Sequence, residues 1–262
     1  MKIFIINLKR SINRRKRMER KMKELELAFQ FYEGIDGQVL SQEELLKYIA
    51  PDHQFHRQFK RGEVGCFLSH YLLYKKIVEE KIPYALIMED DIDISPRFPE
   101  LLKIIETEIV PGEVISFYAS FPEPCKLFKD KHINQHYNLI KPYSGQLVVG
   151  AVAYVITYKA AQSMMNNILP MYDVIDDWRL WLNRAFIDDF KIVFPHPIEL
   201  TDMYSDVNES TGGFGLKIKK LIVNNNVPVL TNLILDKRKK FRWRGRINKI
   251  LIDGQRPEIL FF

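Results

Sequence analysis

Segments typical of buried strands and of helices alternate along this chain from residue 2 to about residue 105. Apolar, β-branched runs, which predict strands, stand between longer segments with an apolar residue at every third or fourth position, which predict helices. The strand-type runs are KIFIINL (2–8), AFQFYEGID (28–36) and YALIMED (84–90), and the main helical segments are 9–26 and 63–81. This alternation predicts an α/β fold with a mostly parallel central sheet and helices on its faces.

The charge of the chain divides it into two parts. The whole chain has 262 residues and a net charge of +6, but residues 217–262 carry 12 Lys/Arg and 3 Asp/Glu, a net charge of +9. We therefore predict one domain over residues 1–216, followed by a basic C-terminal extension over 217–262. A mildly acidic body with a basic extension is not typical of a nucleic-acid-binding domain, so we expect no nucleic acid partner.

The cysteines and the hydropathy pattern predict a cytoplasmic protein. Cys66 and Cys125 have neither metal-binding spacing nor a disulfide framework, which fits a reducing compartment. Cys66 is interpreted as a small buried hydrophobic residue. The apolar run Ile3–Ile6 is too short for the core of a signal peptide, and no run of about 18 apolar residues is present.

Four carboxylates follow the third predicted strand in the stretch ALIMEDDIDISP. They are Glu89, Asp90, Asp91 and Asp93. Ligands of α/β sheets lie beyond the carboxyl ends of the strands, and a hard cation with phosphate oxygens takes carboxylate ligands there. A solvated acidic turn before Pro96 explains the same pattern. A Rossmann dinucleotide motif after the first strand and a P-loop motif are both absent from the sequence.

Five segments of the chain resemble glycosyltransferase family 25, whose members include bacterial lipooligosaccharide β-1,4-galactosyltransferases. In order, they are IFIINLKRSINRRKRM, FYEGIDG, KRGEVGCFLSHYLLYKKIVEEKIPYALIMEDD, VGAVAYVITYKAA and VIDDWRLW, within residues 1–200. The block GEVGCFLSH…MEDD is the most specific part. The resemblance implies a GT-A-like, Rossmann-type single domain, a UDP-sugar donor and an inverting transfer.

The resemblance also implies a divalent metal, Mn²⁺ or Mg²⁺, at the acidic strand end. There the cation bridges a carboxylate and the diphosphate of the donor. We expect Asp91 to be the main metal ligand, and Glu89 or Asp90 to help hold the ribose or a bound water, with Glu89 as a further metal ligand. Asp93 is added as a candidate ligand, although the family often has an apolar residue there.

Residues after the first strand and in the GEVGCFLSH block are expected to form the donor wall. An arginine here would pair a phosphate, although a solvated basic helix and a structural histidine are the ordinary alternatives. Gly62 and Gly65 are expected to let the backbone approach the ligand. The candidate donor-binding residues are Asn7, Arg10, Arg14, Arg61, Glu63, Ser69, His70, Glu89 and Asp90.

An acidic pair near residue 177 is the candidate for the general base. Displacement at the anomeric carbon needs a group that takes the proton of the acceptor hydroxyl. Asp177 matches the family pattern best and Asp176 is the adjacent alternative, while helix N-capping is the structural role of an Asp at such a position. Trp178 or Trp181 is expected either to stack on an acceptor sugar or to pack in the core.

The resemblance predicts transfer of a hexose, galactose first and glucose second, to a lipooligosaccharide or lipopolysaccharide acceptor. The basic extension interleaves Phe241 and Trp243 with cations, which predicts peripheral contact with the anionic inner face of the cytoplasmic membrane. Two alternatives belong to other classes of protein. One is a metal-dependent phosphohydrolase or nuclease, and the other is a catalytically inert membrane-surface binding module.

Overall fold

A computed structural model describes residues 1–51, 58–123, 125–201, 249–253 and 256–261 of the chain. Strands and helices alternate over its first hundred residues, as the hydrophobic pattern predicts. The elements in chain order are β1 (Lys2–Asn7), α1 (Ile12–Glu24), β2 (Gln30–Glu33), α2 (Gln42–Leu46), α3 (Arg61–Glu79), β3 (Tyr84–Glu89), β4 (Ile92–Ile94), α4 (Phe98–Glu108), β5 (Glu113–Ser116), β6 (Cys125–His132), β7 (Asn138–Pro142), β8 (Ala153–Thr157), α5 (Tyr158–Asn167), α6 (Trp178–Asn183), β9 (Asp189–Phe194), β10 (Ile198–Leu200), β11 (Lys249–Asp253) and β12 (Arg256–Phe261).

One large sheet forms the centre of the fold. Ten of the described strands lie in the order β11-β12-β6-β7-β9-β5-β8-β3-β1-β2, and β10 pairs with β4 in a small second sheet. Within the large sheet β7, β8 and β12 run opposite to the other seven strands. The prediction of an α/β fold with a mostly parallel central sheet is therefore confirmed.

The strands near the acidic cluster are buried because of their composition. Ala85–Met88 in β3 are all 0% exposed, which is typical of a strand covered on both faces. Helix α1 covers one face with a stripe at four-residue spacing that buries Arg14, Met18 and Met22. Because Arg14 continues this apolar stripe, its guanidinium lies inside the structure and is separated from the exposed cations of the same helix.

The register of β1 and β3 brings distant residues to one edge of the sheet. The two strands are parallel, and Ile6 lies opposite Glu89. β2 pairs in parallel with the other side of β1, with Asn7 opposite Glu33. The carboxyl ends of the three strands therefore meet at one place, where the chain continues into α1, into the loop after β2 and into the acidic cluster.

The end of the chain adds to the large sheet. β12 pairs antiparallel with β6, with Ile259 opposite Leu127, and β11 pairs with β12. The basic extension predicted over 217–262 is thus not entirely separate from the body. The boundary at 216 and the cations from Lys237 to Arg246 lie outside the described residues, so the domain boundary stays a prediction. In the part of the chain that is described, no helix combines the length and the apolarity of a membrane span.

Candidate active site

An open cleft of about 620 Å³ lies at the carboxyl ends of β1, β2 and β3. Its walls come from the residues that follow β1, from the loop 35–38 after β2 and from the first turns of α3, and Glu89, Asp90 and Asp91 lie at its base. Of the predicted donor-binding residues, those that line this cleft are Arg10, Arg14, Ser69, His70, Glu89 and Asp90.

Asp90 is held by three side chains from the first 17 residues. Asn7 Nδ2 donates to Asp90 Oδ2 at 2.6 Å, and Arg14 Nη1 donates to Asp90 Oδ1 at 2.9 Å. Arg17 Nη2 donates to the backbone oxygen of Asp90 at 2.8 Å. Both carboxylate oxygens of Asp90 therefore serve to fix the acidic turn, and Asn7 acts on the cleft through Asp90. Arg17 is a positioning residue that the sequence did not single out from its basic neighbours.

Asp91 presents an unsatisfied carboxylate oxygen. The residue is 9% exposed, and its Oδ1 has no hydrogen-bond partner among the described residues, whereas Oδ2 lies 3.6 Å from Arg14 Nη1. Burial, and then the nearby charge of Glu89, raises the pKa of Asp91 to about 7. A buried carboxylate with an oxygen lacking a partner, beside further carboxylates, fits a hard divalent cation.

Glu89 lies between Asp91 and helix α3. Its Oε1 accepts from Cys66 Sγ at 3.6 Å and lies 3.8 Å from His70 Nε2. Burial, and then the charge of Asp90, raises the pKa of Glu89 to about 7. Cys66 is half-buried, packs against the hydrophobic core as expected and also lines the cleft, which the sequence did not indicate.

Asp93 does not take part in the cleft. In β4 its neighbours Ile92 and Ile94 are buried, so the alternation of the strand turns the Asp93 side chain outward. The side chain is 66% exposed, and its Oδ1 lies 3.1 Å from Lys21 Nζ. The structure thus separates Asp93 from Asp91 and gives it no place as a metal ligand, which corrects its inclusion on spacing alone.

Two further predicted donor-binding residues have structural roles at the start of α3. Glu63 Oε2 accepts from the backbone N–H of Lys60 at 2.8 Å and so closes the first turn of the helix. The Arg61 guanidinium donates to the backbone oxygen of Leu40. Neither side chain lines the cleft, because helix capping and loop contacts direct both of them away from it.

The wall formed by α3 is packed tightly against the loop after β2. Ser69 Oγ accepts from the Ile35 N–H at 2.8 Å and donates to the Gly65 oxygen at 2.6 Å. A Cβ on Gly65 would lie 2.6 Å from Gly37 N, and a Cβ on Gly37 would lie 1.8 Å from Arg61 O. Gly65 therefore lets two backbone segments approach each other, rather than a ligand as predicted. Arg10 Nε donates to Asp36 Oδ2 at 2.5 Å in the same loop.

The acidic pair at 176–177 divides into two roles. Asp177 is 5% exposed, accepts from the Leu180 N–H at 3.1 Å as the N-cap of α6, and pairs with Arg179 at 2.8 Å. Asp176 is half-buried, and its charge acts on His70 and Cys66. Burial, and then Glu89, raises the pKa of Asp176 to about 6. Asp176 is therefore close enough to Glu89 for their charges to interact, although its side chain is not part of the cleft lining, and Asp177 holds the helix.

Trp178 and Trp181 belong to the core. Each is 1% exposed, and their indole N–H groups donate to the backbone oxygens of Gly150 and Ile175 at 3.0 and 2.9 Å. The predicted alternative of stacking on an acceptor sugar is therefore excluded for both. The Trp178 bond ties α6 to the segment before β8. In the same segment, the backbone oxygen of Val152 accepts from the Glu89 N–H at 2.8 Å.

His70 is part of a buried chain of hydrogen bonds that sequence reasoning missed. Its Nδ1 is bonded to Tyr154 Oη at 2.7 Å, and Tyr154 Oη is bonded to Tyr74 Oη at 2.7 Å. Burial lowers the pKa of His70 to about 4, so the ring is neutral. Tyr74 follows His70 by one helical turn, which is a signal in the sequence, whereas the contact with Tyr154 depends on the pairing of β3 with β8.

Comparison with known proteins supports the family resemblance. The model of glycosyltransferase family 25 (LPS biosynthesis protein) matches residues 1–178. A glycosyltransferase 25 family member of Drosophila melanogaster is 41% identical over 105 residues, 37% of this chain and 17% of the relative. A glycosyltransferase of Acanthamoeba polyphaga mimivirus is 29% identical over 167 residues, 62% of this chain and 51% of the relative.

Procollagen galactosyltransferase 2 of Mus musculus is 36% identical over 111 residues, 40% of this chain and 18% of the relative. This chain thus spans between about one sixth and one half of the length of these relatives. The family match covers β1, β3 and the whole acidic cluster, and the fold around them is the GT-A-like domain that the resemblance implies. The chain belongs to glycosyltransferase family 25.

Proposed function

We propose that this protein transfers a hexose, galactose first and glucose second, from a UDP-sugar to a hydroxyl of a lipooligosaccharide or lipopolysaccharide acceptor, with inversion. The observation that carries the proposal is the buried Asp91 oxygen without a partner at the base of an open cleft, in a chain of this family. The names of the galactosyltransferase relatives support galactose, and the description of the family model supports the acceptor.

Asp91 is the residue that would hold a divalent cation, Mn²⁺ or Mg²⁺, with Glu89 beside it. When bound there, such a cation would supply positive charge to stabilise the diphosphate leaving group. Arg14 holds Asp91 in place from the side of α1, because its guanidinium contacts both Asp90 and Asp91. We propose that Arg10, which lines the cleft wall and is paired with Asp36, binds a phosphate group of the donor.

Asp176 is our candidate for the general base. A base works best when its pKa lies near the operating pH, and burial, and then the charge of Glu89, raises the pKa of the Asp176 carboxyl to about 6. Asp177 is committed to Leu180 and Arg179. The proposal therefore moves the base by one residue from the position that the family pattern favoured, and the two roles are separable by mutation.

The test is a panel of UDP-sugars, with UDP release measured with and without Mn²⁺ and with two acceptors, a lipooligosaccharide core and a procollagen peptide. We expect Mn²⁺-dependent release with UDP-galactose and stimulation by the lipooligosaccharide. Stimulation by the procollagen peptide and not by the lipooligosaccharide would overturn the proposed acceptor. Phosphodiester or phosphomonoester hydrolysis in place of transfer would favour the phosphohydrolase or nuclease, and no turnover with retained vesicle binding would favour the inert module.

We also propose that the protein works at the inner face of the cytoplasmic membrane, held there by its basic extension. The support is the net charge of +9 over residues 217–262, with aromatic residues among the cations. Basic clusters near an anionic leaflet gain about 1 kcal/mol per cation. A lipid-linked acceptor would lie at the same surface as an enzyme bound in this way.

A further inference from the structure

Three potential metal ligands of different chemistry converge on one wall of the cleft. Cys66 and His70 are four residues apart on α3 and so share one face of the helix, and Glu89 is the last residue of β3. One ligand atom from each, the thiol sulfur, a ring nitrogen and a carboxylate oxygen, lie within 4.8 Å of one another. Glu89 Oε1 is 3.6 Å from Cys66 Sγ and 3.8 Å from His70 Nε2.

These separations are close to those of a tetrahedral zinc site. Bond lengths of about 2.3 Å to sulfur and about 2.0–2.1 Å to nitrogen or oxygen place neighbouring ligands about 3.3–3.6 Å apart. The two distances to Glu89 Oε1, 3.6 and 3.8 Å, exceed this range by a few tenths of an ångström at most, and the sulfur and the imidazole nitrogen lie within 4.8 Å of each other. Side-chain movements would therefore bring the three atoms around one ion.

His70 provides an independent sign that a ligand belongs here. The residue is 1% exposed, and its Nε2 has no hydrogen-bond partner among the described residues although it points toward Glu89. A buried ring nitrogen without a partner is costly unless something binds it. The other nitrogen, Nδ1, is already bonded to Tyr154 Oη, which is the arrangement that holds metal-binding histidines in place.

We propose that Cys66, His70 and Glu89 form a site for one cation of the zinc class, separate from the hard-cation position at Asp91. In this site His70 donates from Nδ1 to Tyr154, Tyr154 donates to Tyr74, and the lone pair of Nε2 faces the ion. Cys66 binds as the thiolate and releases its proton to solvent. A thiolate and an imidazole select zinc over Mg²⁺ or Mn²⁺, and the fourth position opens to the cleft.

The site has two positioning residues in this assignment, Tyr154 and Tyr74. Both are buried, and Tyr154 stacks on the His70 ring with centroids 5.7 Å apart. They fix the tautomer and the orientation of the imidazole. Removing such a partner of a metal-binding histidine weakens metal affinity by about 10–100-fold.

The test is a titration of the whole 262-residue chain, free of metal, with Co²⁺, followed by its thiolate-to-cobalt charge-transfer absorption and by displacement with Zn²⁺. We expect the band in the wild type, its loss in Cys66→Ser and its retention in Cys125→Ser, the matched control at the other cysteine. His70→Gln should abolish tight Zn²⁺ binding, and Tyr154→Phe should weaken it about 10-fold or more. Circular dichroism of each variant establishes that it is folded.

Absence of the band in the wild type, or its persistence in Cys66→Ser, would overturn the site. Asp91→Asn should retain the band while losing Mn²⁺-dependent UDP binding. Loss of the band in this variant would show that the zinc-class site and the Asp91 position are not separate metal sites. The measurement needs no sugar donor, so its result does not depend on whether the protein has the proposed transferase activity.

Discussion

At the scale of single residues, the cleft concentrates carboxylates that are unfavourable without a ligand. Burial and mutual repulsion raise the pKa of both Glu89 and Asp91 to about 7. Arg14 offsets only part of this charge, because it also pairs with Asp90. Such shifts concentrate at functional sites, where charge is kept for binding at the expense of stability.

Replacing Asp91 by Asn should separate binding from stability. We expect Mn²⁺-dependent UDP binding to be abolished and the metal-free protein to be stabilised at pH 8 by on the order of 1 kcal/mol, or about 2–4 °C in Tm for a domain of this size. Calorimetric UDP binding and thermal unfolding measure the two effects. Asp93→Asn is the matched control and should change neither, and unchanged UDP binding in Asp91→Asn would refute the ligand assignment.

The raised pKa values also predict how pH acts on the metal-free protein. The folded pKa of Glu89 and of Asp91 lies above the ordinary values of 4.5 and 3.8, so the folded state binds more protons than the unfolded state between about pH 4 and about pH 7. Stability should therefore fall as the pH rises through this window, in urea titrations without metal. Mn²⁺-dependent UDP binding should strengthen over the same window, because the cation needs ionised carboxylates. A flat profile for both would contradict the assignment.

The two neighbouring acids should give different mutant phenotypes. Asp176→Asn should lower turnover by about 10²-fold or more, with UDP affinity and Tm nearly unchanged, because a general base acts on the acceptor proton. Asp177→Asn should instead cost less than about 1 kcal/mol of stability through the lost charge pair with Arg179, because Asn caps a helix about as well as Asp does. Steady-state kinetics and thermal unfolding on both variants decide, and a larger loss of turnover in Asp177→Asn would return the base to that position.

At the scale of helices and strands, the hydrophobic period predicted β1, α1, β2, α3 and β3. The tendency of ligand sites to lie beyond the carboxyl ends of strands predicted where the acidic cluster would lie. Side-chain direction was harder to predict. Alternation along β4 turns Asp93 outward, and that depends on the pairing of β4 with β10, about a hundred residues further along the chain. The N-cap role of Asp177 was among the predicted alternatives, because an Asp directly before a helix is a recognisable local sequence pattern. The contact of Gly37 with Gly65 has no such pattern in the sequence.

Replacing Gly65 by Ala should disturb the cleft through the backbone. The added methyl would overlap Ile35 O and Gly37 N at 2.6 Å, so α3 must move away from the loop 35–38. We expect a loss of about 1–3 kcal/mol, as for overpacked sites, and weaker UDP binding. Urea unfolding and calorimetry measure both. Lys75→Ala, at an exposed position of the same helix, should change stability by less than about 0.5 kcal/mol. A Gly65→Ala protein with wild-type stability would show that the contact is not tight.

At the scale of the whole molecule, the large sheet joins two regions that the charge distribution had separated. Charge alone placed residues 217–262 in an extension, but the pairing of β12 with β6 could not be predicted because it is a contact over more than a hundred residues. Removing the whole extension would therefore expose β6 as well as remove cations. A test of membrane contact must change the charge and leave β11 and β12 in place.

Neutralising the basic tract should reduce membrane binding without loss of the fold. We expect substitution by Gln at Lys237–Lys240, Arg242, Arg244 and Arg246 to weaken binding to anionic vesicles, and added salt to weaken wild-type binding, because exposed charges are screened within about 8 Å at physiological salt. Co-sedimentation at low and high salt measures this. A control carries the same number of Gln substitutions at exposed cations of residues 1–201, and equal sedimentation of the two variants would exclude the tract as the membrane contact.

The hydrogen bonds around Asp90 have a consequence for the order of folding. Asn7 and Arg14 reach Asp90 across sequence separations of 83 and 76 residues. Closing a loop of that length costs entropy, so we expect β1 and β3 to pair before Asn7 and Arg14 can reach Asp90. The contacts that fix the acidic turn are therefore made only after the strands on either side of them have paired. During refolding, UDP binding should then recover only when β1 and β3 have paired. Helices that form before this pairing should not restore UDP binding.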